Sequence, residues 1–158
     1  MTATIHAERS ITLIRVLKAP RDLVWKAWTD VDMLKEWWGP EHFTNPRVEG
    51  DVRVGGEMHI TMRGPKGTPF DMDFPMIKRY REIVPGKKLV FGSDAVGPKG
   101  ELLIEGLTTV TFEDHPQGTM IEVTASAKAI MPEAVAMLGG MDQGWSQSLD
   151  KLTRLVEK

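Results

Sequence analysis

The chain has 158 residues, of which 41% are hydrophobic and 27% are charged, and its formal net charge is −2. This length fits one domain with a full hydrophobic core, and the balanced charge argues against nucleic acid or an anionic membrane as a partner held by bulk electrostatics. Because the sequence contains no cysteine, disulfides, thiolate metal sites and a cysteine nucleophile are excluded.

The beginning of the chain predicts a strand followed by two short helices. Residues 1–9 lack the basic and apolar segments of a secretory signal, no later apolar run reaches membrane-spanning length, and we expect a cytoplasmic protein with a flexible segment at 1–9. The alternating, β-branched run Ser10–Leu17 predicts the first strand. Pro20 suits the first turn of a helix, and Asp30 is a favourable N-cap for the next.

Four of the five tryptophans lie in these two helices: Trp25, Trp28, Trp37 and Trp38. We interpret Trp28 and Trp38 as buried, and Trp25 and Trp37 as partly exposed or covering the end of the sheet. Their main expected role is to anchor the helices to the sheet. An alternative is that Trp38 and Phe43, with the Gly-Pro turn between them, form the mouth of a cavity through which a ligand enters.

The rest of the chain predicts strands separated by turns, and then one long amphipathic helix from about Met141 to Glu157. The fold class is therefore α+β, a single domain over residues 1–158. One curved antiparallel sheet of about six to seven strands would carry two short helices after strand 1 and the long helix across its concave face. The further strands are predicted at Pro46–Val54, Glu57–Arg63, Phe70–Met76, Lys78–Val84, Lys88–Ser93, Leu103–Glu113 and Thr119–Ala127.

Several segments resemble one known family. They are Ile11–Pro40, the glycine pair at 55–56, Tyr80–Phe91, and Gly144-Trp145 with the leucines that follow. Together they resemble START-like (SRPBCC, Bet v 1-like) helix-grip domains, and more specifically the branch named after the activator of Hsp90 ATPase (AHSA1-like). The resemblance implies a deep apolar pocket between the sheet and the C-terminal helix. Helix-grip domains serve as lipid carriers, plant ligand-binding proteins, aromatase/cyclases and toxin-sequestering proteins, so the fold alone does not select a function.

Large, deformable side chains concentrate on the elements that would line such a pocket. Methionine and aromatic residues adapt to varied apolar partners, which favours a ligand-binding wall. The alternative is that the same side chains interlock as a solid core. The predicted ligand-binding residues are Trp38, Phe43, Met58, Ile60, Met62, Phe70, Met72, Phe74, Met76, Phe91, Met137, Met141 and Trp145.

No motif in the sequence indicates catalysis or a metal site. Glu57 and His59 share the polar face of a strand, but the spacing places no third ligand beside them. Asp71 and Asp73 alternate with apolar residues, and we interpret them as a solvated outer face. The sequence has no nucleophile elbow, P-loop, dinucleotide fingerprint or zincin helix. We therefore predict no catalytic residue, no metal and no cofactor.

The predicted function is binding of a small hydrophobic or aromatic molecule in the cavity, as a carrier, in sequestration or in sensing. One alternative is an enzyme of polyketide cyclase or hydrolase type, which would place a buried charged or hydroxyl group with a perturbed pKa in the same pocket. Another is a protein-binding module for a chaperone such as Hsp90, linked to the stress response. That module would need an exposed apolar patch on the outer face of the sheet, and the polar residues there argue against it. We expect no membrane insertion, and a second copy of the chain stays open as a partner.

Overall fold

The computed structural model describes residues 5–158. Seven strands come in the order β1 to β7, with two helices between β1 and β2 and the remaining helices after β7. The strands are β1 Ala7–Leu17, β2 Thr44–Gly50, β3 Glu57–Arg63, β4 Asp73–Val84, β5 Lys88–Val96, β6 Leu102–His115 and β7 Gly118–Ala129. The helices are α1 Arg21–Thr29, α2 Val31–Trp37, a 3-10 turn Pro132–Ala134, α3 Val135–Leu138 and α4 Met141–Val156.

The seven strands form one antiparallel sheet in the order β1-β7-β6-β5-β4-β3-β2. A sheet of this width twists and curls, and α4 lies over its concave side with Leu149, Leu152 and Val156 buried. The expected α+β helix-grip fold, with its two short helices after β1 and its long C-terminal helix, is confirmed.

Local sequence signals account for the two short helices. Pro20 precedes the first residue of α1, where its missing N–H is not needed. The Asp30 carboxylate accepts a hydrogen bond of 3.0 Å from the backbone N–H of Met33 and so caps α2. Gly39 follows α2 with φ of +93°, and an added Cβ there would lie 2.8 Å from the sulfur of Met62, so a side chain is excluded by conformation and by space.

The tryptophans form one connected aromatic cluster. Trp28 and Trp38 are buried as predicted, whereas the expectation that Trp37 is partly exposed is wrong. Trp37 is fully buried because its ring packs against Trp28 with centroids 4.7 Å apart, and its indole N–H donates to the carbonyl of Ala27 at 2.8 Å. Trp25 is half-buried against Phe112.

Several strand boundaries differ from the expectation. β1 begins at Ala7, because residues 7–9 of the segment predicted to be flexible pair with residues 127–129 of β7. Residues 1–4 of the segment predicted to be flexible lie outside the described residues. β2 is Thr44–Gly50, four residues short of the predicted end.

The predicted strand from Phe70 is also wrong in its first half. β4 begins only at Asp73 and continues without a break past Lys78 to Val84. Residues 65–71 instead form a loop held by its own hydrogen bonds, from the N–H of Asp71 to the carbonyl of Thr68 and from the N–H of Gly67 to the Asp71 carboxylate. These local bonds satisfy backbone groups that a strand would have paired with a neighbour.

Candidate functional site

A cavity of about 280 Å³ lies between the concave face of the sheet and the segment formed by α3 and α4. Its floor consists of small side chains on the central strands: Gly106 and Thr108 of β6, Ala125 and Ala127 of β7, and Ser93 of β5. Small residues in these positions leave the volume that larger core residues would fill.

Gly106 lets β5 and β6 approach closely under the cavity. A Cβ at this position would overlap the backbone carbonyl oxygen of Ser93 and lie 3.2 Å from the Ser93 Cβ. The hydroxyl oxygens of Ser93 and Thr108 are 3.3 Å apart and form a hydrogen bond at the floor. The floor is therefore apolar apart from this hydroxyl pair.

Bulky side chains form the walls of the cavity. Trp38, Met62 and Met76 lie on one side, and Met137, Met141 and Trp145 come from the helices that cover it. The indole N–H of Trp38 donates to the sulfur of Met76 at 3.1 Å. The rings of Trp38 and Trp145 meet edge to face, with centroids 5.5 Å apart.

The structure divides the predicted ligand-binding residues into three groups. Six of them line the cavity: Trp38, Met62, Met76, Met137, Met141 and Trp145. Three others belong to the buried core: Met58, Ile60 and Phe91. The last four, Phe43, Phe70, Met72 and Phe74, lie at or near the end of the sheet outside the cavity lining.

Phe70 and Met72 are the clearest departures from the expected arrangement. They are 54% and 51% exposed, because the loop at residues 65–71 carries them away from the concave face. The ring of Phe70 is tilted against that of Phe43, with the two centroids 6.2 Å apart. Apolar residues do alternate from Phe70 to Met76, but β4 begins only at Asp73. Phe70 and Met72 precede the strand and therefore do not share its inward face.

Lys78 is a residue that the sequence reasoning missed. It is 1% exposed, and its Nζ lies 3.5 Å from the centroid of the Trp38 ring and 4.6 Å from that of Phe91. Burial lowers the pKa of Lys78 well below its ordinary value. A signal for it was present, because continuing the inward alternation of Phe74 and Met76 reaches Lys78 and then Tyr80.

Two further buried polar groups lack a partner. One belongs to Tyr80, two residues after Lys78, and the other to Trp28 in the tryptophan cluster. The Tyr80 hydroxyl and the indole N–H of Trp28 have no hydrogen-bond partner within residues 5–158. Burial also raises the pKa of Tyr80 above its ordinary range. Burying a polar group without a hydrogen-bond partner lowers the stability of the fold. This part of the core therefore contains polar groups whose hydrogen bonds are not made within the described residues.

The loop at the mouth of the cavity is tied to α4. Lys151 donates from Nζ to the backbone carbonyls of Gly39, Pro40 and Phe43 at 3.2, 3.3 and 3.5 Å. Partial burial lowers the pKa of Lys151. Gly39 and Pro40 also line the cavity, so these hydrogen bonds tie α4 to the loop at this end of the cavity.

The outer face of β3 and β4 carries ion pairs. Arg79 pairs with Glu57 at 2.9 Å, and this hydrogen bond is the main cause of the lowered pKa of Glu57. Glu57 also lies 3.3 Å from His59. Arg63 pairs with Asp73, which lies on the exposed face at the start of β4, and with Asp71, which lies in the preceding loop and not on the strand face that the sequence predicted.

Comparison with known proteins identifies the family. The family model described as "Activator of Hsp90 ATPase homolog 1-like protein" matches residues 18–157. The chain belongs to this family. No curated protein matches it significantly. Within residues 5–158, no helix has the length and apolar character needed to cross a membrane.

Several solved structures are similar to this chain in fold. A protein from Chromobacterium violaceum is 28% identical, with a TM-score of 0.80 over 94% of this chain and 97% of that one. The Mll3558 protein from Rhizobium loti is 22% identical, with a TM-score of 0.76 over 94% of this chain and 96% of that one. The AHSA1 protein from Silicibacter pomeroyi is 16% identical, with a TM-score of 0.71 over 92% of this chain and 96% of that one. The latter two likenesses concern the fold alone.

Proposed function

We propose that this AHSA1-like protein binds a small hydrophobic or aromatic molecule in the cavity between the sheet and α4. The observation that carries the proposal is the cavity itself, with its floor of small residues and its walls of methionine and tryptophan. Apolar ligands gain roughly 25 cal/mol for each Å² that they remove from water, before the entropy of binding is subtracted.

The volume of the cavity limits the size of the ligand. At about 280 Å³, it lies just below the range for small-molecule pockets, which starts at about 300 Å³. This favours a compact ring-containing molecule over a long lipid. The four methionines in the walls can adjust to ligands of different outline, because a thioether side chain is unbranched and flexible.

The exposure of one wall residue gives a route for ligand exchange past α3. Met137 is 41% exposed while it also lines the cavity, so one wall residue faces both the interior and solvent. The short helix α3, which carries it, is followed directly by Gly139 and Gly140. Movement of this segment would open the cavity without unfolding the sheet.

A cavity-filling variant tests the proposal. Ala125→Leu places a larger side chain on the floor, and Thr124→Leu places the same side chain on the opposite face of β7. We expect methyl 2-naphthoate to raise the melting temperature of the wild type and of Thr124→Leu, and to have little effect on Ala125→Leu. Equal shifts in all three proteins, or no shift in the wild type, would contradict binding in this cavity.

A second candidate function has one observation in its favour. A cyclase or hydrolase would need a buried polar group of perturbed pKa beside the ligand, and Lys78 is such a group. The mass of the bound compound separates the two functions. Native mass spectrometry after prolonged incubation should recover an unchanged ligand from a binding protein, and a product of altered mass from an enzyme.

A further inference from the structure

Lys78 belongs to the same cross-strand row as the floor of the cavity. It pairs directly with Ser93 on β5, Ser93 lies against Gly106 on β6, and Gly106 pairs with Ala127 on β7. Side chains directly opposite each other in an antiparallel pair have Cβ atoms about 5 Å apart. Lys78 itself does not line the cavity, but its neighbour Ser93 does, and the flexible four-carbon stem of a lysine can span the distance from one strand to the next.

The surroundings of the Lys78 amine contain aromatic rings and no anion. Met58 pairs with Lys78 from β3, Ser93 pairs with it from β5, and the rings of Trp38 and Phe91 lie nearest to Nζ. Burial is the only cause of the lowered pKa of Lys78, so no carboxylate within residues 5–158 compensates the amine. Tyr80, two residues further on the same face, is titratable, but its raised pKa keeps it in the neutral form.

The aromatic rings favour the charged form of the amine only in part. A cation close to the face of an indole gains up to about 2 kcal/mol when it is desolvated, whereas burial of an unpaired ammonium costs several kcal/mol. The ammonium form of Lys78 is therefore fully stabilised only when it pairs with an anion. A ligand bound in the cavity that Ser93 lines could supply that anion.

The other polar groups near Lys78 are hydrogen-bond donors. Of the Ser93 and Thr108 hydroxyls, one donates to the other, which leaves one proton for a ligand. The Trp38 N–H donates only to a thioether sulfur, which is a weak acceptor. No described residue that lines the cavity carries a carboxylate, so the polar end fits an acceptor ligand.

We propose that the ligand of this cavity is a small aromatic or alicyclic carboxylic acid, whose carboxylate is bound by Nζ of Lys78 and by the one free hydroxyl proton of the Ser93–Thr108 pair. The proposal rests on the proposed function and names its ligand class. The apolar body of the acid occupies the space beside Trp145 and the methionines. No covalent bond is made or broken: the carboxylate binds as the anion, and Lys78 takes up a proton from solvent when it is not already protonated.

The test compares 2-naphthoate with its neutral methyl ester. Binding of each compound is measured by isothermal titration calorimetry to the wild type, to Lys78→Met, and to Lys128→Met as the control. Lys128 lies on the opposite face of β7, one residue from the cavity residue Ala127, so the control removes the same charge outside the cavity. Lys78→Gln, which keeps a polar group without a charge, provides a second variant if Lys78→Met does not fold.

The expected result is selective loss of the acid. Lys78→Met should bind 2-naphthoate at least about tenfold more weakly than the wild type, which is the loss of one charge-assisted hydrogen bond, and should bind the ester as well as the wild type does. Titration of 2-naphthoate in two buffers of different ionisation enthalpy should show proton uptake by the wild type and none by Lys78→Met. Lys128→Met should behave as the wild type.

Two other results would overturn the inference in different ways. Equal affinity of the acid for the wild type and Lys78→Met, or binding of the ester without binding of the acid, would show that Lys78 does not recognise a carboxylate, while cavity binding stands. If neither compound binds the wild type, the proposed function fails and this inference fails with it.

Discussion

The amine of Lys78 lies 3.5 Å from the centre of the Trp38 ring, in the interior of the protein. This contact joins the two features of the chain that bear most directly on its function. Trp38 forms part of the cavity wall, and Lys78 supplies a buried amine packed against its ring. A desolvated amine in this position destabilises the folded protein in the absence of a ligand, and that consequence can be measured.

Replacement of Lys78 by methionine should therefore stabilise the protein at neutral pH. Methionine keeps the length of the side chain and removes the desolvated amine, and we expect the free energy of unfolding to rise by about 1 kcal/mol or more. Urea denaturation followed by tryptophan fluorescence gives this value. Lys128→Met is the matched control and should change it by less than about 0.5 kcal/mol.

The same pair of proteins predicts a pH dependence. The folded state holds Lys78 at a lowered pKa, so between that value and the ordinary value of 10.5 the unfolded chain binds more protons than the folded one. Stability of the wild type relative to Lys78→Met therefore rises as pH increases through this window. Denaturation at a series of pH values should show the advantage of Lys78→Met shrinking from neutral pH towards pH 10. A constant difference would mean that Lys78 keeps its ordinary pKa.

Trp145 offers a test of the cavity wall that is independent of charge. Trp145→Ala removes the ring that stacks on Trp28 with centroids 6.3 Å apart and lines the cavity. We expect a destabilisation of about 2 to 4 kcal/mol, together with weaker binding of methyl 2-naphthoate measured well below the melting temperature. Trp25→Ala is the control, since Trp25 is also half-buried but contacts Phe112 away from the cavity. If both variants keep the affinity of the wild type, Trp145 is a structural residue only.

The sequence predicted the elements well because their patterns are local. Alternation along strands and the apolar face of α4 depend on residues a few positions apart, and both survive in the structure. The same alternation could not separate core from cavity wall, because Met58 and Met62 occupy equivalent positions on β3 while only Met62 borders empty space.

The floor of the cavity could not be predicted from patterns along a single strand. Gly106, Ala125 and Ala127 are unremarkable small residues along their own strands, and they create space only because the register of β6 and β7 places them side by side. Lys78 was within reach of sequence reasoning, but the strand was divided at that residue in the prediction and its inward position was lost.

Two of the glycines that border the cavity, Gly106 and Gly144, should respond to alanine in opposite ways. Gly106→Ala forces a Cβ into the Ser93 carbonyl, which is backbone and cannot move aside, and we expect a loss of about 1 to 3 kcal/mol. Gly144 lies within α4, and an added Cβ there would meet Pro40 at an ordinary 3.7 Å. Gly144→Ala should therefore stabilise the helix by up to about 1 kcal/mol. Thermal denaturation of the two variants would contradict this account if the signs were the same.

The contact between Lys151 and the mouth of the cavity predicts a local change in dynamics. Lys151→Met removes three hydrogen bonds to the carbonyls of residues 39, 40 and 43, and we expect faster amide hydrogen exchange at residues 39–43 than in the wild type. The rest of the sheet should exchange as before, because β6 and β7 do not depend on this loop. Lys35→Met removes an exposed lysine of α2 as a control and should leave exchange at residues 39–43 unchanged.

Loss of the Lys151 hydrogen bonds should also speed dissociation of methyl 2-naphthoate, measured by stopped-flow fluorescence. An unchanged dissociation rate despite faster exchange would show that the ligand leaves by another route, past α3.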